Sequence, residues 1–463
     1  MREHVLTAQL YRNPLAIVWG LLVSAFLVFL IFATPPMQVP DEQNHFLRVA
    51  QLAQGGVIGR RLNALDSGGM LPADSVTFAH SYDDIPSHYD HKIQWSRLDT
   101  GSNLTWKSQR IPAGFPNTVI YSPVFYLPAV LGVEVGKVLH TNILTSFYLA
   151  RISSSIFCLL VGFMALLVAI RGKLLIAVFL SMPMVLSLFA SCSQDGPLIA
   201  SCALCVALLT RVEDSFSERK WFWPAVALLL GCILASKPPY ILMAFIPVVL
   251  APSFSWRRAA GACGIAVALL MIWSFWGVHT TKVPFQSGQG VDSGRQVHFL
   301  LSHPITGLEA LLNTFHFFGS SFKQQFVGVL GWLDAPLPSW FYRFEKIILI
   351  LTALISSLYF SIKINKEFLL RKILIFTLCL GTACAVSIAL YLIWTPVGLN
   401  YIEGIQGRYF IPLAIFSILM LPISSLPRAL TETKVMVLEI IVLCVSLWGG
   451  MGAVLETVLA RYW

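Results

Sequence analysis

Two adjacent carboxylates, Asp41 and Glu42, follow a proline-rich stretch directly after the first long apolar run of the sequence. The next residues have the composition of a short helix, on which His45 and Arg48 fall one and two turns beyond Asp41 and can share its face. A carboxylate held in this way is a candidate for acid–base chemistry. The plainer interpretation is that Asp41, which follows Pro40, caps a helix with a solvated charged face.

Two further ionisable residues lie in short turns between apolar runs. Asp195 follows Ser-Cys-Ser-Gln and precedes a glycine, and it could be an ordinary turn or capping residue. Lys237 stands before Pro-Pro-Tyr, and Tyr240 ends that turn. A lysine in this position could extend toward the interface, or it could bind a phosphate as a compact point charge.

A third cation, Arg408, begins another apolar run, with Gln406 and Tyr409 close beside it in sequence. An arginine there is costly unless it is paired, solvated or bound to an anion, and its planar fork suits a phosphate. Trp332 and Asp334 belong to a turn rich in glycine and proline. The Trp332 ring could stack on a sugar, or it could anchor the turn at the level of the lipid headgroups.

The composition indicates which solvent surrounds these residues. The 463 residues are 56% hydrophobic and 12% charged, whereas a soluble globular chain carries roughly 25% charged residues. Apolar runs of about 20 residues are long enough to cross a bilayer core, and a single segment satisfies its own backbone hydrogen bonds there only as a helix. A membrane barrel is excluded because the runs do not alternate apolar and polar residues. The sequence therefore predicts an all-α polytopic membrane protein.

The net charge of +9 and the nine cysteines do not change this interpretation. The excess Lys and Arg lie in short connections between apolar runs, as cytoplasmic anchoring charges do, so we do not expect nucleic-acid binding. The cysteines fall inside apolar runs, except for Cys192 at the end of one, and the large polar segments contain none. They are expected to be small buried hydrophobes rather than a disulfide or metal framework.

Eleven apolar runs are predicted to span the membrane. They are 15–34, 147–170, 174–191, 196–211, 221–236, 239–252, 259–278, 345–362, 372–394, 408–424 and 435–457. A further stretch, 119–139, is ambiguous because it contains two prolines and two charges. If it does not span, the basic clusters between later runs, which include Arg257, Lys363 and Arg428, share the cytoplasmic side with Arg2 and Arg12, as the positive-inside rule requires. We therefore predict a cytoplasmic N-terminus and an interfacial helix over 119–139.

Two large segments, 35–146 and 279–344, then face outward from a single integral membrane domain that comprises residues 1–463. Both segments are rich in Trp, Tyr and Pro, so we expect them to pack on the membrane surface. All the candidate residues named above fall on this outer side at a similar membrane depth. Outer carboxylates together with an outer lysine and arginine are the combination that chemistry on an anionic lipid phosphate needs.

The order of these features resembles the GT-C class of membrane glycosyltransferases, and within it a bacterial family known as membrane proteins of unknown function. The matching segments cover most of the chain. They are Val39-Pro-Asp-Glu-Gln-Asn-His45, Tyr121-Ser-Pro-Val-Phe-Tyr-Leu-Pro128, Ser193-Gln-Asp195, Lys237-Pro-Pro-Tyr240, Gly331-Trp-Leu-Asp-Ala-Pro-Leu-Pro338 and Gln406-Gly-Arg-Tyr-Phe410.

The resemblance implies an acidic catalytic motif in the first outer segment, which matches Asp41 and Glu42, and a second acidic position, which matches Asp195. It also implies basic residues that hold a donor phosphate, for which Lys237 and Arg408 are the matching candidates. The adjacent Asp-Glu departs from the separated acidic pair of that class, so no cofactor is expected and a divalent metal stays open. The residues expected to bind substrate are His45, Arg48, Tyr240, Trp332, Asp334, Gln406 and Tyr409.

The implied activity is transfer of a sugar from a polyprenyl-phosphate donor to a glycan or lipid acceptor, with inversion, on the outer face of the bacterial inner membrane. Either Asp41 or Glu42 would act as the general base. Two alternatives stay open, a flippase or transporter of lipid-linked sugars or polysaccharide and a non-catalytic envelope assembly protein. A transporter would need charged residues along a path through its spans, and the predicted spans contain few besides Glu439 and Glu456.

Overall fold

The structure is a computed structural model that describes residues 13–284, 289–357, 366–421 and 432–463. Four basic residues used to infer the topology lie outside the described residues, namely Arg2, Arg12, Lys363 and Arg428. The described part of the chain is predominantly α-helical, which confirms the predicted fold class of a helical membrane protein.

The helices and strands of the first half, in chain order, are α1 (Pro14–Ala33), α2 (Glu42–Ala53), β1 (Arg60–Arg61), β2 (Ser67–Pro72), α3 (Ala73–His80), α4 (Trp95–Ser102), β3 (Arg110–Gly114), α5 (Pro116–Val119), α6 (Leu127–Val138), α7 (Ile143–Val168), α8 (Lys173–Ser181), α9 (Pro183–Phe189) and α10 (Asp195–Leu209). Those of the second half are α11 (Phe222–Ser236), α12 (Ile246–Leu250), α13 (Trp256–Trp273), α14 (His279–Thr281), α15 (Ser293–Ser302), α16 (Pro304–Val327), β4 (Val329–Leu330), β5 (Ala335–Pro336), α17 (Ser339–Ser357), α18 (Lys366–Ile393), α19 (Ile411–Ser417) and α20 (Glu432–Tyr462). Short 3₁₀ turns lie at Pro123–Tyr126, Ser215–Glu218, Pro238–Phe245, Gly407–Phe410 and Ile418–Met420.

Five helices among the described residues are long and apolar enough to cross a membrane. They are α1, α7, the continuous helix Trp256–Thr281 that contains α13 and α14, α18 and α20. Large apolar side chains such as Leu21, Leu160 and Phe376 are exposed on α1, α7 and α18. Soluble proteins rarely expose large apolar patches, so these helix faces are the ones expected to contact lipid.

Shorter apolar helices account for several of the other predicted spans. They include α10, α11 and the segments Pro238–Leu250 and Gly407–Met420. The predicted span 174–191 is not one helix, because Pro183 begins a new helix and divides the stretch into α8 and α9. The number of spans therefore stays a prediction.

The ambiguous stretch 119–139 is divided by its prolines into a 3₁₀ turn and α6. Helix α6 has 12 residues, which corresponds to a length of about 18 Å. The hydrocarbon core of a bilayer is about 30 Å thick, so α6 alone does not reach across it. The interfacial position of the stretch stays a prediction.

The first outer segment positions α2 at the end of α1. Strand β2 pairs with both β1 and β3 in a small antiparallel sheet, and the Gln51 side chain of α2 donates a hydrogen bond to the Gly68 carbonyl of β2 at 3.3 Å. On the other side, the buried Phe46 ring meets Phe78 and Phe147 edge to face, each at 5.5 Å between centroids. Helix α2 is therefore fixed by packing against α3 and α7 and by bonding to the sheet.

The second outer segment, 279–344, is more regular than the predicted surface loop. It contains α16, a helix of 24 residues, followed by the short hairpin of β4 and β5. Leu308, Leu312 and Phe315 are exposed on α16, and their spacing of four and three residues is that of one helix face. This periodicity is present in the sequence and indicates a helix within the segment.

Candidate functional site

Asp41 occupies the position directly before α2 but does not cap it. Its backbone adopts a left-handed conformation with φ of 60°, and its side chain makes no capping hydrogen bond. Instead, Arg408 Nη2 donates to Asp41 Oδ2 at 2.5 Å, and Asn117 Nδ2 donates to Asp41 Oδ1 at 3.4 Å. The capping role considered for Asp41 is thus wrong, because the carboxylate is turned toward a cation.

A second carboxylate and a second cation lie beside this pair. Lys237 Nζ is 3.0 Å from Asp195 Oδ1, and Arg408 Nη1 is 3.9 Å from Asp195 Oδ2. Asp195 is the first residue of α10, and its backbone N–H is bound by the Ser193 hydroxyl. The four side chains therefore form an alternating series of charges, in the order Asp41, Arg408, Asp195 and Lys237.

The series of charges separates two recesses of different character. The recess on the polar side is lined by Asp41, His45, Asn117, Thr118, Tyr121, Asp195, Lys237, Arg408 and Tyr409. The other recess shares Asp195, the two cations and Tyr409 but is otherwise mainly apolar, with Leu188, Leu198, Ile199, Tyr240 and Pro412 in its wall. The two cations thus stand between a recess lined mainly by polar side chains and one lined mainly by apolar side chains.

Aromatic rings hold Lys237 in position. Its Nζ lies 4.8 Å from the centroid of the Tyr121 ring and 5.4 Å from that of Tyr409, and the Tyr240 hydroxyl donates to the Tyr409 carbonyl at 2.7 Å. Burial lowers the pKa of Lys237, but Asp195 and the tyrosines outweigh burial and raise this pKa above its ordinary range. Lys237 is therefore charged at neutral pH.

His45 also lines the polar recess, and its ring is neutral. His45 Nδ1 is 2.7 Å from the Tyr126 hydroxyl, and both side chains are buried. Burial lowers the pKa of His45 to about 4, although Asp195 and Asp41 act to raise it. At neutral pH, His45 therefore forms an uncharged wall of the recess.

This burial predicts a loss of stability in acid. The pKa of an unfolded histidine is about 6.5, so below that pH the unfolded chain binds a proton that the folded chain does not bind until its pKa of about 4. Stability that is present above pH 6.5 is therefore lost as the pH falls toward 4, by about 3 kcal/mol in total. We expect the melting temperature in detergent to fall less for His45→Gln than for wild type between pH 7.5 and 4.5. Equal acid sensitivity would contradict a buried neutral ring.

Glu42, the other candidate base, lies outside the recess in a fully buried ion pair with Arg151. Arg151 donates from Nε to Glu42 Oε1 at 2.9 Å and from Nη2 to Glu42 Oε2 at 2.6 Å, and the Cys192 backbone N–H adds a bond at 3.1 Å. Arg151 Nη1 also binds the carbonyl groups of Ile31 and Thr34 at the end of α1. Both oxygens of Glu42 are thus occupied in joining α1, α2 and α7.

Three of the expected substrate-binding residues, Arg48, Trp332 and Asp334, also lie away from the recess. Arg48 is fully buried and donates to Gln51 Oε1 and to the Val57 and Tyr121 carbonyls, so it does not share the face of Asp41 that lines the recess.

The expected pair Trp332 and Asp334 belongs to a structural turn. Trp332 Nε1 donates to the Met37 carbonyl at 2.7 Å. Asp334 accepts from Arg461 at 2.9 Å and from the Ser87 backbone at 2.8 Å, so the turn connects the first outer segment to the end of α20. Gln406 does not line the polar recess. Its Oε1 accepts a hydrogen bond from Arg408 Nε at 2.6 Å, so it helps to hold Arg408 in place.

Several residues in and around the site were missed from sequence. Asn117, Thr118 and Tyr121 line the polar recess, and Tyr121 was quoted as part of a matching segment without a role. Arg151 lies inside the predicted span 147–170, where a charged residue is itself a signal. Among the described residues, no group of three His, Cys, Asp or Glu side chains could hold a metal, and independence from a cofactor stays a prediction.

Comparison with known proteins gives a family and one structural neighbour. A family model described as "Predicted membrane protein (DUF2142)" matches residues 25–417. No curated protein matches the chain.

Among solved structures, the crystal structure of ArnT from Cupriavidus metallidurans bound to undecaprenyl phosphate is similar, with a TM-score of 0.36 and 14% sequence identity. The match covers 87% of this chain and 59% of the ArnT chain, so this chain spans less than two thirds of the length of ArnT.

Proposed function

The chain belongs to the DUF2142 family of membrane proteins, and from that premise we propose that it is a membrane glycosyltransferase of the GT-C type. The proposed donor is a sugar linked to a polyprenyl phosphate, and the acceptor is a glycan or lipid of the cell envelope. The observation that carries this proposal is the alternating series of charges around one recess, Asp41, Arg408, Asp195 and Lys237. A carboxylate beside two fixed cations supplies the groups that sugar transfer from a phosphate requires.

Lys237 and Arg408 are the proposed ligands of the donor phosphate. The phosphodiester of the donor carries one negative charge, and the released polyprenyl phosphate gains a second as its bond to the sugar breaks. Cations that are already in place stabilise such developing charge without reorganisation. The neighbouring apolar recess, with Leu198 and Tyr240 in its wall, suits the first part of the lipid chain.

Asp41 is the proposed general base. It accepts the proton of the acceptor hydroxyl while the hydroxyl oxygen forms a bond to the anomeric carbon. The bond from that carbon to the phosphate oxygen breaks, and its electron pair leaves with the phosphate. A single displacement of this kind inverts the configuration of the sugar. Asp195, between both cations, is proposed to orient them, and Glu42 is proposed to hold the fold.

The recess is proposed to face the outside of the bacterial inner membrane. Helix α1 has 20 residues and is therefore about 30 Å long, which is enough to carry the chain across the hydrocarbon core. Its N-terminal end follows Arg2 and Arg12, which the positive-inside rule places in the cytoplasm. Asp41 then emerges on the opposite side.

Transfer in detergent solution tests the proposal against transport. Purified protein in micelles is incubated with a labelled polyprenyl-phosphate sugar and an extract of envelope glycolipids, and labelled acceptor is measured. Micelles have no two compartments, so a flippase yields no product there, whereas an enzyme does. Absence of labelled acceptor from folded protein with every glycolipid fraction would count against the enzyme assignment.

Replacement of Lys237 by glutamine is expected to lower transfer about 10²- to 10³-fold, the usual effect of removing one group that stabilises developing charge. The matched control is Lys220→Gln, which removes an exposed lysine from the turn before α11. Initial rates at saturating donor measure the effect. If Lys237→Gln is as active as the control, Lys237 has no role in the proposed site.

A further inference from the structure

A large groove lies between α16 and α17, separate from the recess of Asp41. Its volume is about 1020 Å³, at the upper end of the range of about 300 to 1,000 Å³ that is usual for ligand sites. One wall comes from α16, the other from α17, and Phe410 contributes from the segment that carries Arg408.

The groove changes character along its length. Lys323 lies in the last turns of α16, and Arg343 and Lys346 lie in the first turns of α17, so these three cations gather at the end next to the hairpin of β4 and β5. Farther from the hairpin, Phe315 and Ile350 make the lining apolar. No carboxylate lines the groove, and the three cations have no ion pair or hydrogen bond within the described residues. The groove therefore fits an amphiphile with a strongly anionic head.

The groove does not open into the recess through the segment between them. Gly407 packs directly on α16, where an added Cβ would lie 2.0 Å from the Phe322 carbonyl oxygen. The Gly407 N–H donates to Gln325 Oε1 at 2.9 Å. Arg408 and Tyr409 then line the recess while Phe410 lines the groove. A lipid chain in the groove is thus on the opposite side of this segment from a phosphate held by Arg408.

We propose that this groove is a second lipid site, which binds the acceptor as a lipid whose head carries two linked phosphates. Three cations at one end match a diphosphate better than the single charge of a phosphodiester, because charge-assisted bonds form to more than one group. Identification of the occupant as the acceptor rests on the proposed function, whereas the binding itself does not. Both substrates would then be anchored in the membrane on the two sides of residues 407–410.

Binding to the purified protein in detergent tests the inference. The probes are a polyprenyl diphosphate, the monophosphate of the same chain and phosphatidylglycerol, each titrated with native mass spectrometry as the readout. We expect wild type to bind the diphosphate about tenfold more tightly than phosphatidylglycerol. The double variant Arg343→Gln/Lys346→Gln is expected to lose this preference, and Arg257→Gln/Arg258→Gln, which removes two exposed charges from the start of α13, is expected to keep it.

The variant Lys237→Gln separates this inference from the proposed function. It should weaken binding of the monophosphate and leave that of the diphosphate unchanged, while the Arg343/Lys346 double variant should do the reverse. If phosphatidylglycerol binds as tightly as the diphosphate, or the double variant binds the diphosphate like wild type, the second lipid site is overturned. The proposed function is tested separately, by measuring sugar transfer with the Asp41 and Lys237 variants.

Discussion

Sugar transfer by Asp41→Asn is expected to be about 10²- to 10⁴-fold slower than wild type, the range for loss of a general base. Asparagine keeps the size of the side chain, and it is one of the few residues that tolerate the left-handed backbone found at this position. The variant should therefore fold normally and lack only the capacity to accept a proton. Rates of labelled sugar transfer at matched amounts of folded protein measure the effect.

Two controls distinguish loss of the base from a general loss of activity or of donor binding. Asp90→Asn removes a carboxylate of the same outer segment whose side chain is 83% exposed, and it should leave transfer unchanged. Donor binding by Asp41→Asn should be retained, because Arg408 and Lys237 are still present. Equal transfer by Asp41→Asn and wild type would refute Asp41 as the base and would revive the transport alternative.

Removal of Arg151 is expected to destabilise the protein by about 3 to 5 kcal/mol, the usual result of leaving one partner of a buried ion pair without compensation. In Arg151→Met, the Glu42 carboxylate stays buried and the carbonyl groups at the end of α1 lose their donor. We expect a strongly reduced yield of monodisperse protein and a lower melting temperature in detergent.

The matched control for this prediction is Arg371→Gln. Arg371 pairs with Glu213 and Glu367, but these partners are exposed, so its removal should cost no more than about 1 kcal/mol. The double variant Glu42→Gln/Arg151→Met should be less destabilised than Arg151→Met, since no buried charge is left alone. An Arg151→Met protein that is as stable as wild type but inactive would mean that Arg151 acts in the chemistry and not in the fold.

Arg408 could be identified from sequence because an arginine at the start of an apolar run is costly unless it is paired, solvated or bound to an anion. The structure brings Arg408 to one recess with Asp41, Asp195 and Lys237, whose positions in the sequence also allowed ordinary capping or interfacial roles. Asp41 and Glu42 could not be told apart in the same way. They are neighbours in sequence, and only the left-handed backbone at Asp41 turns one carboxylate toward Arg408 while the other enters the helix and meets Arg151.

The roles of other residues could not be predicted locally, because the pattern of residue types is the same for a binding turn and a structural turn. Trp332 and Asp334 have the composition of a ligand site, yet their polar atoms are taken up by Met37, Ser87 and Arg461. These partners are more than a hundred residues away in sequence, so no local pattern indicates them. The interruption of the run 174–191 was, in contrast, visible in Pro183.

The pairing of both cations with carboxylates has a consequence for turnover. In the proposed reaction, a phosphate that arrives does not meet free positive charge, because it must compete with Asp41 and Asp195, which already hold Arg408 and Lys237. Asp195 takes no proton in this reaction and can pair with the cations again once the sugar has left, whereas Asp41 can do so only after it has passed on the proton that it accepted. The carboxylates would then displace the doubly charged product that two unopposed cations would retain, so the proposed site would favour release of the spent carrier as well as its capture.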